Sequence, residues 1–245
     1  MNNVFIGDSN INSFYQICNQ NYKYLDNSEQ TVKIYTNLEA NIHNQSYNFT
    51  GASMYGITKD GRLKVGEHIK KITICTDTNY FFLFGFVDIN FIILYKQIQN
   101  KHFCSYSFIR QICKAYLNFL TKLNRNIIIL EIPYITIKDP KKFNDIFFMW
   151  FVDDELKELG KKYVESNPYD QIINISLTKY FNKILEKECH KYGITFIKYN
   201  YFVVDKYSNI KPKFIISDSD HHYKAKEILP IYIKLIEQIS DNISS

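Results

Sequence analysis

Two polar clusters, at opposite ends of the chain, contain the residue types that a serine nucleophile needs. Near the start, residues 7–10 (Gly-Asp-Ser-Asn) follow the apolar run Val4-Phe5-Ile6. Near the end, residues 218–222 (Asp-Ser-Asp-His-His) precede the last apolar stretch. A serine hydroxyl becomes nucleophilic when a histidine takes its proton and an acid orients that histidine. The two clusters together therefore predict nucleophilic chemistry at Ser9.

The second cluster leaves the choice of base and acid open. Asp218 and His221 are three residues apart at a predicted helix entry, and this spacing can put a carboxylate beside an imidazole. Asp220 and His222 are equally suitable by their chemistry. The other histidines lie among ordinary surface or helix residues, and we expect structural roles for them: His43, His68, His102 and His190.

The same cluster also offers carboxylate and imidazole ligands for a divalent metal. Adjacent histidines cannot easily point at one ion, however, and the sequence has no second cluster of ligands. Nucleophilic chemistry at a serine needs no cofactor. We therefore expect neither a metal nor an organic cofactor.

The elements that position these clusters are predicted by apolar patterning. Val4-Phe5-Ile6 is typical of a short buried strand, Gly7 permits a sharp turn, and Ser9 then lies at the start of a helix. A simpler role for Ser9 is to cap that helix. Further strands are predicted at 32–36, 80–85, 126–132 and 194–198, and they alternate with helices at 89–99, 106–123, 168–192 and from 223 to about 239. This alternation predicts a three-layer α/β/α sandwich around a doubly wound parallel sheet of about five strands.

Small or acidic residues follow several of these strands. Gly51 lies in the turn Thr50–Gly56, after a polar segment (37–49) that we expect to be a loop, and Gly85-Phe86-Val87-Asp88 ends the most apolar strand. Loops that follow parallel strands gather at one edge of the sheet. These segments are therefore expected to meet the two clusters in one site.

The length of 245 residues suits a single domain. Its aromatic stretch at 139–167 is either a helical insertion or lid, or simply packs against the sheet.

The net charge of +5 is dispersed, which argues against nucleic-acid binding. Five cysteines without a C-x-x-C motif favour reduced, buried thiols. No signal peptide or apolar run of about 20 residues is recognised, so we expect a soluble, cytoplasmic protein without a membrane span. The sequence does not indicate an oligomeric state.

The order of these motifs resembles that of the SGNH (GDSL-type) hydrolases, whose fold is a flavodoxin-like α/β/α sandwich. Residues 4–10 resemble the first block, with Ser9 as nucleophile and oxyanion donor, and residues 50–56 the second, with Gly51 as another backbone donor. Residues 84–90 resemble the third block, which is written G-x-N-D. Residues 218–221 resemble the D-x-x-H block, and this resemblance favours Asp218 and His221 over the alternative register.

The third block departs from the family pattern. Gly85 and Asp88 are kept, but Val87 replaces the asparagine whose side chain supplies an oxyanion donor in the family. By their closeness in sequence, Asn10 and Asn90 are candidates to replace it. Asp8 is expected to brace the turn around Ser9, and Asp88 to hold loops at the edge of the site.

The resemblance implies a serine esterase or acyl hydrolase that acts on a small ester, for example an O-acetylated carbohydrate. One alternative is an O-acyltransferase acting on glycans. Another is a catalytically inert binding protein that has kept the fold, which the residues Phe86 and Val87 motivate.

Overall fold

The computed structural model of the protein describes residues 2–11, 21–27, 30–36, 44–59, 64–149, 151, 153–218 and 220–244. Seven strands form one sheet: β1 (Asn2–Gly7), β2 (Asn21–Asn27), β3 (Gln30–Thr36), β4 (Asn44–Phe49), β5 (Thr78–Leu83), β6 (Asn126–Leu130) and β7 (Thr195–Ile197). Their order across the sheet is β2-β3-β4-β1-β5-β6-β7. The five strands from β4 to β7 in this order are parallel, as the sequence predicts.

The helices flank this sheet or connect its strands. They are α1 (Met54–Thr58), α2 (Val65–Ile72), a π-helix (Asp88–Ile92) that continues into α3 (Ile93–Gln99), α4 (Ser105–Thr121), α5 (Pro140–Phe148), α6 (Asp154–Ser166), α7 (Gln171–Lys191), α8 (Asn200–Val203), a 3-10 turn (Pro212–Phe214) and α9 (Ala225–Ser244). None of the helices in the described ranges has both the length and the apolar character needed to cross a membrane.

Alternation along the central strands divides the core into two layers. In β5, Tyr80 and Phe82 face the layer that contains α1, α2, α4 and much of α7. Phe81 and Leu83 face the opposite layer, which contains α8 and α9. Successive side chains of a strand point to opposite faces, so a strand buried on both faces is apolar throughout. The predicted three-layer α/β/α architecture is therefore confirmed.

Most predicted helices and strands are present with small changes at their ends. The helix predicted over 106–123 is α4, and that predicted over 168–192 is α7, which begins after its N-cap Asp170 and is followed by Gly193 at φ 65°. The predicted helix after Ser9 lies outside the described residues beyond Ile11. Residues 9–11 form one turn of 3-10 helix.

The prediction of a loop over 37–49 is wrong for its second half. Residues 44–49 form β4, which pairs with β3 on one side and β1 on the other, while residues 37–43 lie outside the described ranges. The sequence of β4 is polar, with buried Ser46 and Asn48, so strand pairing overrides its weak strand propensity. The predicted strand at 32–36 is β3, but it runs antiparallel to β4 and pairs with β2 at the edge of the sheet.

Two further predictions concern the aromatic stretch and the cysteines. The aromatic stretch at 139–167 forms α5 and α6, and Phe143 and Phe147 lie in the main core layer. The thiols of Cys113 and Cys189 are buried, whereas those of Cys75 and Cys104 are exposed, contrary to the prediction of buried cysteines.

Candidate active site

The turn after β1 presents Ser9 at the carboxyl edge of the sheet. Gly7 lies so close to β5 that a Cβ atom at this position would be 2.6 Å from the Leu83 carbonyl oxygen. The Asp8 N–H donates to that same carbonyl at 3.1 Å. Asp8 Oδ1 accepts from the backbone and side-chain N–H groups of Asn10 at 2.9 and 3.0 Å. Asp8 and Asn10 thus brace the turn, and Ser9 is left half-buried.

Ser9 contacts a histidine that is itself held by a carboxylate. Nε2 of His222 lies 2.9 Å from Ser9 Oγ, and Nδ1 lies 2.7 Å from Asp220 Oδ1. The hydrogen bond to His222 lowers the pKa of Asp220, so this carboxyl group is ionised at neutral pH. The chain of hydroxyl, imidazole and carboxylate has the geometry in which imidazole can take the serine proton.

The preferred register of the second cluster does not match these contacts, and the alternative register does. Asp218 is exposed, with one carboxylate oxygen 4.0 Å from Lys142 Nζ. His221 stacks on Phe86 instead of facing Ser9, with ring centroids 5.0 Å apart. The physical reason is an Asx turn, in which Asp220 Oδ1 accepts the backbone N–H of His222 at 2.9 Å. This turn brings Nδ1 of His222 to the same oxygen.

Residues of the loop after β6, which the sequence did not single out, hold this segment in place. The Tyr134 N–H donates to the Tyr223 hydroxyl at 2.7 Å, and the Thr136 hydroxyl donates to the Asp220 carbonyl. The Tyr223 hydroxyl donates in turn to Asn200 Oδ1 at 3.2 Å. No sequence motif signals these contacts, because they depend on how two distant loops meet.

Gly51 lies in the turn directly after β4, the strand beside β1. Its φ of 76° is in the left-handed region that favours glycine. Among the described residues, neither the Gly51 N–H nor the Ser9 N–H donates a hydrogen bond to another group. The two residues follow neighbouring parallel strands, so both backbone donors lie at the same edge of the sheet.

The segment after β5 links the other loops. Gly85 has a φ of 115°, and a Cβ atom there would lie 2.5 Å from Ile132 Cδ1. The Asp88 carboxylate accepts the N–H groups of Met54 and Tyr55 at 2.7 and 3.0 Å, and it thereby caps α1. Asp88 consequently connects the third block to the second, the loop-holding role expected from the sequence.

The asparagines expected to replace the missing oxyanion donor are engaged within the protein. Asn10 donates its amide to Asp8. Asn90 donates to the Phe86 carbonyl at 2.8 Å, and its oxygen accepts from Asn174 at 2.8 Å. Val87, half-buried, has no side-chain donor. Backbone N–H groups are therefore the donors that remain for an oxyanion.

Two buried carboxyl groups lie beneath the site. Burial raises the pKa of Asp8 to about 6, and burial raises that of Asp88 to about 7, with repulsion from Asp8 adding to the effect. Oδ2 of Asp8 is buried and has no hydrogen-bond partner among the described residues. These groups resist ionisation, unlike the carboxylate of Asp220.

The ligand atoms of Asp220, His221 and His222 lie within 4.8 Å of one another, close enough for a metal ion to be considered. Both ring nitrogens of His222 are already engaged, one with Asp220 and the other with Ser9. A metal bound through either nitrogen would break one of these contacts. The arrangement thus suits proton transfer better than metal binding.

No protein-family model and no curated protein matches this sequence. Solved structures do resemble the chain. A GDSL-like lipase from Bacteroides thetaiotaomicron matches 99% of this chain and 88% of its own, with 11% identity and a TM-score of 0.51. An acetyl xylan esterase matches 98% of this chain and 100% of its own, with 9% identity and a TM-score of 0.54. The chain therefore has the fold of the SGNH (GDSL-type) hydrolases.

Proposed function

We propose that this chain, which has the fold of the SGNH hydrolases, is a serine esterase or acyl hydrolase with Ser9, His222 and Asp220 as its triad. The observation that carries the proposal is the pair of contacts at His222, 2.9 Å to Ser9 Oγ and 2.7 Å to Asp220 Oδ1. The neighbours in fold include an esterase and a GDSL-like lipase, which agrees with this chemistry.

In the proposed reaction, Ser9 Oγ attacks the ester carbonyl while Nε2 of His222 takes the hydroxyl proton. The backbone N–H groups of Ser9 and Gly51 donate to the oxyanion of the tetrahedral intermediate. Nε2 of His222 then gives the proton to the leaving alcohol, and an acyl-Ser9 ester remains. Water attacks this ester with His222 again as base, which releases the acid and restores the Ser9 hydroxyl.

The ionised Asp220 has two roles in this scheme. It holds Nδ1–H of His222, so that Nε2 is left free to accept the serine proton. Its negative charge also stabilises the imidazolium that forms during each proton transfer. For substrate, we propose esters with a short acyl group, including O-acetylated carbohydrates, because one neighbour in fold is an acetyl xylan esterase.

A fluorophosphonate probe tests the proposal, since it reacts with activated serine hydroxyls. We expect the wild-type protein to be labelled, Ser9→Ala to be unlabelled, and His222→Ala to be labelled far more slowly. Hydrolysis of p-nitrophenyl acetate by the same three proteins should follow the same order. Ser176→Ala, at an exposed serine of α7 whose hydroxyl donates to the Ile172 carbonyl, serves as the matched serine control and should keep its labelling.

The inert binding protein remains the rival, and Val87 favours it because the position lacks a side-chain donor. Absence of labelling in a folded wild-type protein would establish that rival over the esterase. Labelling that persists in Ser9→Ala would place the reactive serine elsewhere and refute the proposed site.

A further inference from the structure

We propose that His221 is a positioning residue, whose ring keeps the imidazole of His222 in its working orientation after Ser9 has been acylated. This inference rests on the proposed function and extends it to a residue outside the proposed triad. It is carried by contacts among three rings: His221 is stacked on Phe86, and the His222 ring lies against His221 at a tilt of 35°.

The stack is anchored to the sheet at one end. Phe86 is fully buried and follows Gly85 at the end of β5. Its carbonyl accepts the Asn90 side-chain amide at 2.8 Å, which fixes the backbone below the ring. The His221 ring lies over the Phe86 ring with an interplanar angle of 19° and a centroid distance of 5.0 Å. Phe86 thus provides a fixed base on which His221 rests.

His221 in turn covers one face of the His222 ring. Their centroids are only 3.9 Å apart, with an interplanar angle of 35°. The edge of the His222 ring is held separately, by Asp220 at Nδ1 and by Ser9 at Nε2. The ring is therefore held by two polar contacts at its edge and by one aromatic contact at its face.

The face contact matters most after the first half of the reaction. Once Ser9 carries an acyl group, its hydroxyl no longer exists, and Nε2 of His222 loses that partner. The contact between Nδ1 and Asp220 does not by itself fix the ring, which can rotate so that Nε2 moves away from the ester. A flat neighbour 3.9 Å away restricts that turning, so that Nε2 still points to the water that must attack the ester.

The charge state of His221 agrees with this role. Burial lowers the pKa of His221 to about 4, so the ring is neutral at physiological pH. The ionisable groups nearest to the stack are Asp220 and His222 on the same loop and Asp8 on the turn after β1, while Asp218 is paired with Lys142 of α5. A neutral His221 does not oppose the positive charge that His222 acquires at each transfer.

The test compares His221→Leu, which keeps the bulk but removes the flat face, with His221→Phe, which keeps the flat face. Two rates are measured on each protein: labelling of Ser9 by the fluorophosphonate, which reports attack, and steady-state turnover of p-nitrophenyl acetate. The initial burst of p-nitrophenol shows how much acyl-enzyme accumulates. Thermal unfolding checks that each variant is folded, and His221→Ala replaces His221→Leu if that variant is not.

In His221→Leu we expect turnover to fall about tenfold, the scale of one aromatic pairing, with a larger burst and labelling within about threefold of wild type. His221→Phe should restore turnover to within about threefold of wild type. Equal loss of labelling and turnover would show general damage to the site and overturn the inference. Unchanged turnover in His221→Leu, or equal loss in both variants, would also overturn it. If wild-type Ser9 is not labelled at all, it is the proposed function that fails.

Discussion

Separate contacts orient the Ser9 turn and the His222 imidazole. Asp8 and Asn10 shape the turn, His222 faces the hydroxyl, and Asp220 holds the far side of the imidazole. Asp220 and Asp8 are both close to His222 but differ in environment. Asp220 is stabilised as a carboxylate by its hydrogen bonds, whereas burial favours the neutral form of Asp8.

The assignment of the acid predicts different outcomes at two nearby aspartates. Asp220→Asn should reduce kcat for p-nitrophenyl acetate by roughly 10³- to 10⁴-fold, because an amide neither favours the required tautomer nor stabilises the imidazolium. Asp218→Asn is the matched control, since Asp218 is exposed and its carboxylate lies 4.0 Å from Lys142 Nζ. It should keep kcat within about twofold of wild type, as expected of surface substitutions.

The opposite ranking of these two variants would restore the register that the sequence favoured. Equal activity of both variants and wild type would show that neither aspartate orients the base. Circular dichroism and thermal unfolding of both proteins ensure that the loss in Asp220→Asn is not a loss of fold.

For individual residues, the sequence predicts the residue types of the candidate site better than it predicts which histidine and which aspartate contact each other. Ser9 could be singled out as a candidate because an apolar strand, a glycine and a cap residue follow one another in the chain. The choice between His221 and His222 depended on an Asx turn at Asp220 and on the stacking of His221 on Phe86. The second of these involves a residue 135 positions away in the sequence, which no local pattern can reveal.

Among the elements, the parallel strands determine where the site forms. Ser9 follows β1, Gly51 follows β4, and Asp88 lies just beyond the end of β5, so three neighbouring strands deliver their loops to one edge. Asp88 connects two of these loops through the first turn of α1. A carboxylate at the amino end of a helix is also favoured by the helix dipole.

Removal of the Asp88 link should destabilise the protein more than removal of an exposed helix cap. Asp88→Ala leaves the N–H groups of the buried Met54 and the half-buried Tyr55 without their acceptor, and we expect a loss of about 3 kcal/mol in the free energy of unfolding. Asp153→Ala removes the exposed N-cap of α6 and should cost about 1 kcal/mol. Urea unfolding of both variants measures the difference. Equal losses of unfolding free energy in the two variants would show that Asp88 contributes no more than an ordinary helix cap.

Strands and helices could be predicted where their burial produces a clear pattern of apolar residues in the sequence. β5 and β6 each contain a run of four consecutive apolar residues (80–83 and 127–130), and α4 has one apolar stripe, so these elements could be identified from the sequence. β4 could not be identified from the sequence, because it is a strand only through its pairing with β1 and β3. Its polar residues, Ser46 and Asn48 among them, are buried only after β1 and β3 have paired with it.

Across the whole molecule, the buried carboxyl groups link stability to pH. Asp8 has its pKa raised from 3.8 to about 6, and Asp88 from 3.8 to about 7. The folded state therefore holds these protons more tightly than the unfolded state. The stability that this provides is fully present below pH 3.8 and is lost as the pH rises through the folded-state values.

Asp8→Asn should consequently reduce the pH dependence of folding. The amide oxygen can still accept from Asn10, but no buried charge forms as the pH rises. Between pH 4 and pH 7 we expect the variant to lose about 2 kcal/mol less stability than wild type, because most of the shift in the Asp8 pKa, at 1.36 kcal/mol per unit, acts within this range. Urea unfolding at both pH values measures this, with the exposed Asp145→Asn as control. An unchanged pH dependence in Asp8→Asn would show that Asp8 is already ionised at little cost.

The contact between Ser9 and His222 joins positions 213 residues apart. Contacts of high sequence separation slow folding, because the entropy of closing the loop is lost before the contact forms. During synthesis, Ser9 leaves the ribosome long before His222 has been added to the chain. Under the proposed function, a partly made chain therefore cannot activate Ser9, and the serine becomes reactive only when the segment around His222 docks on the sheet.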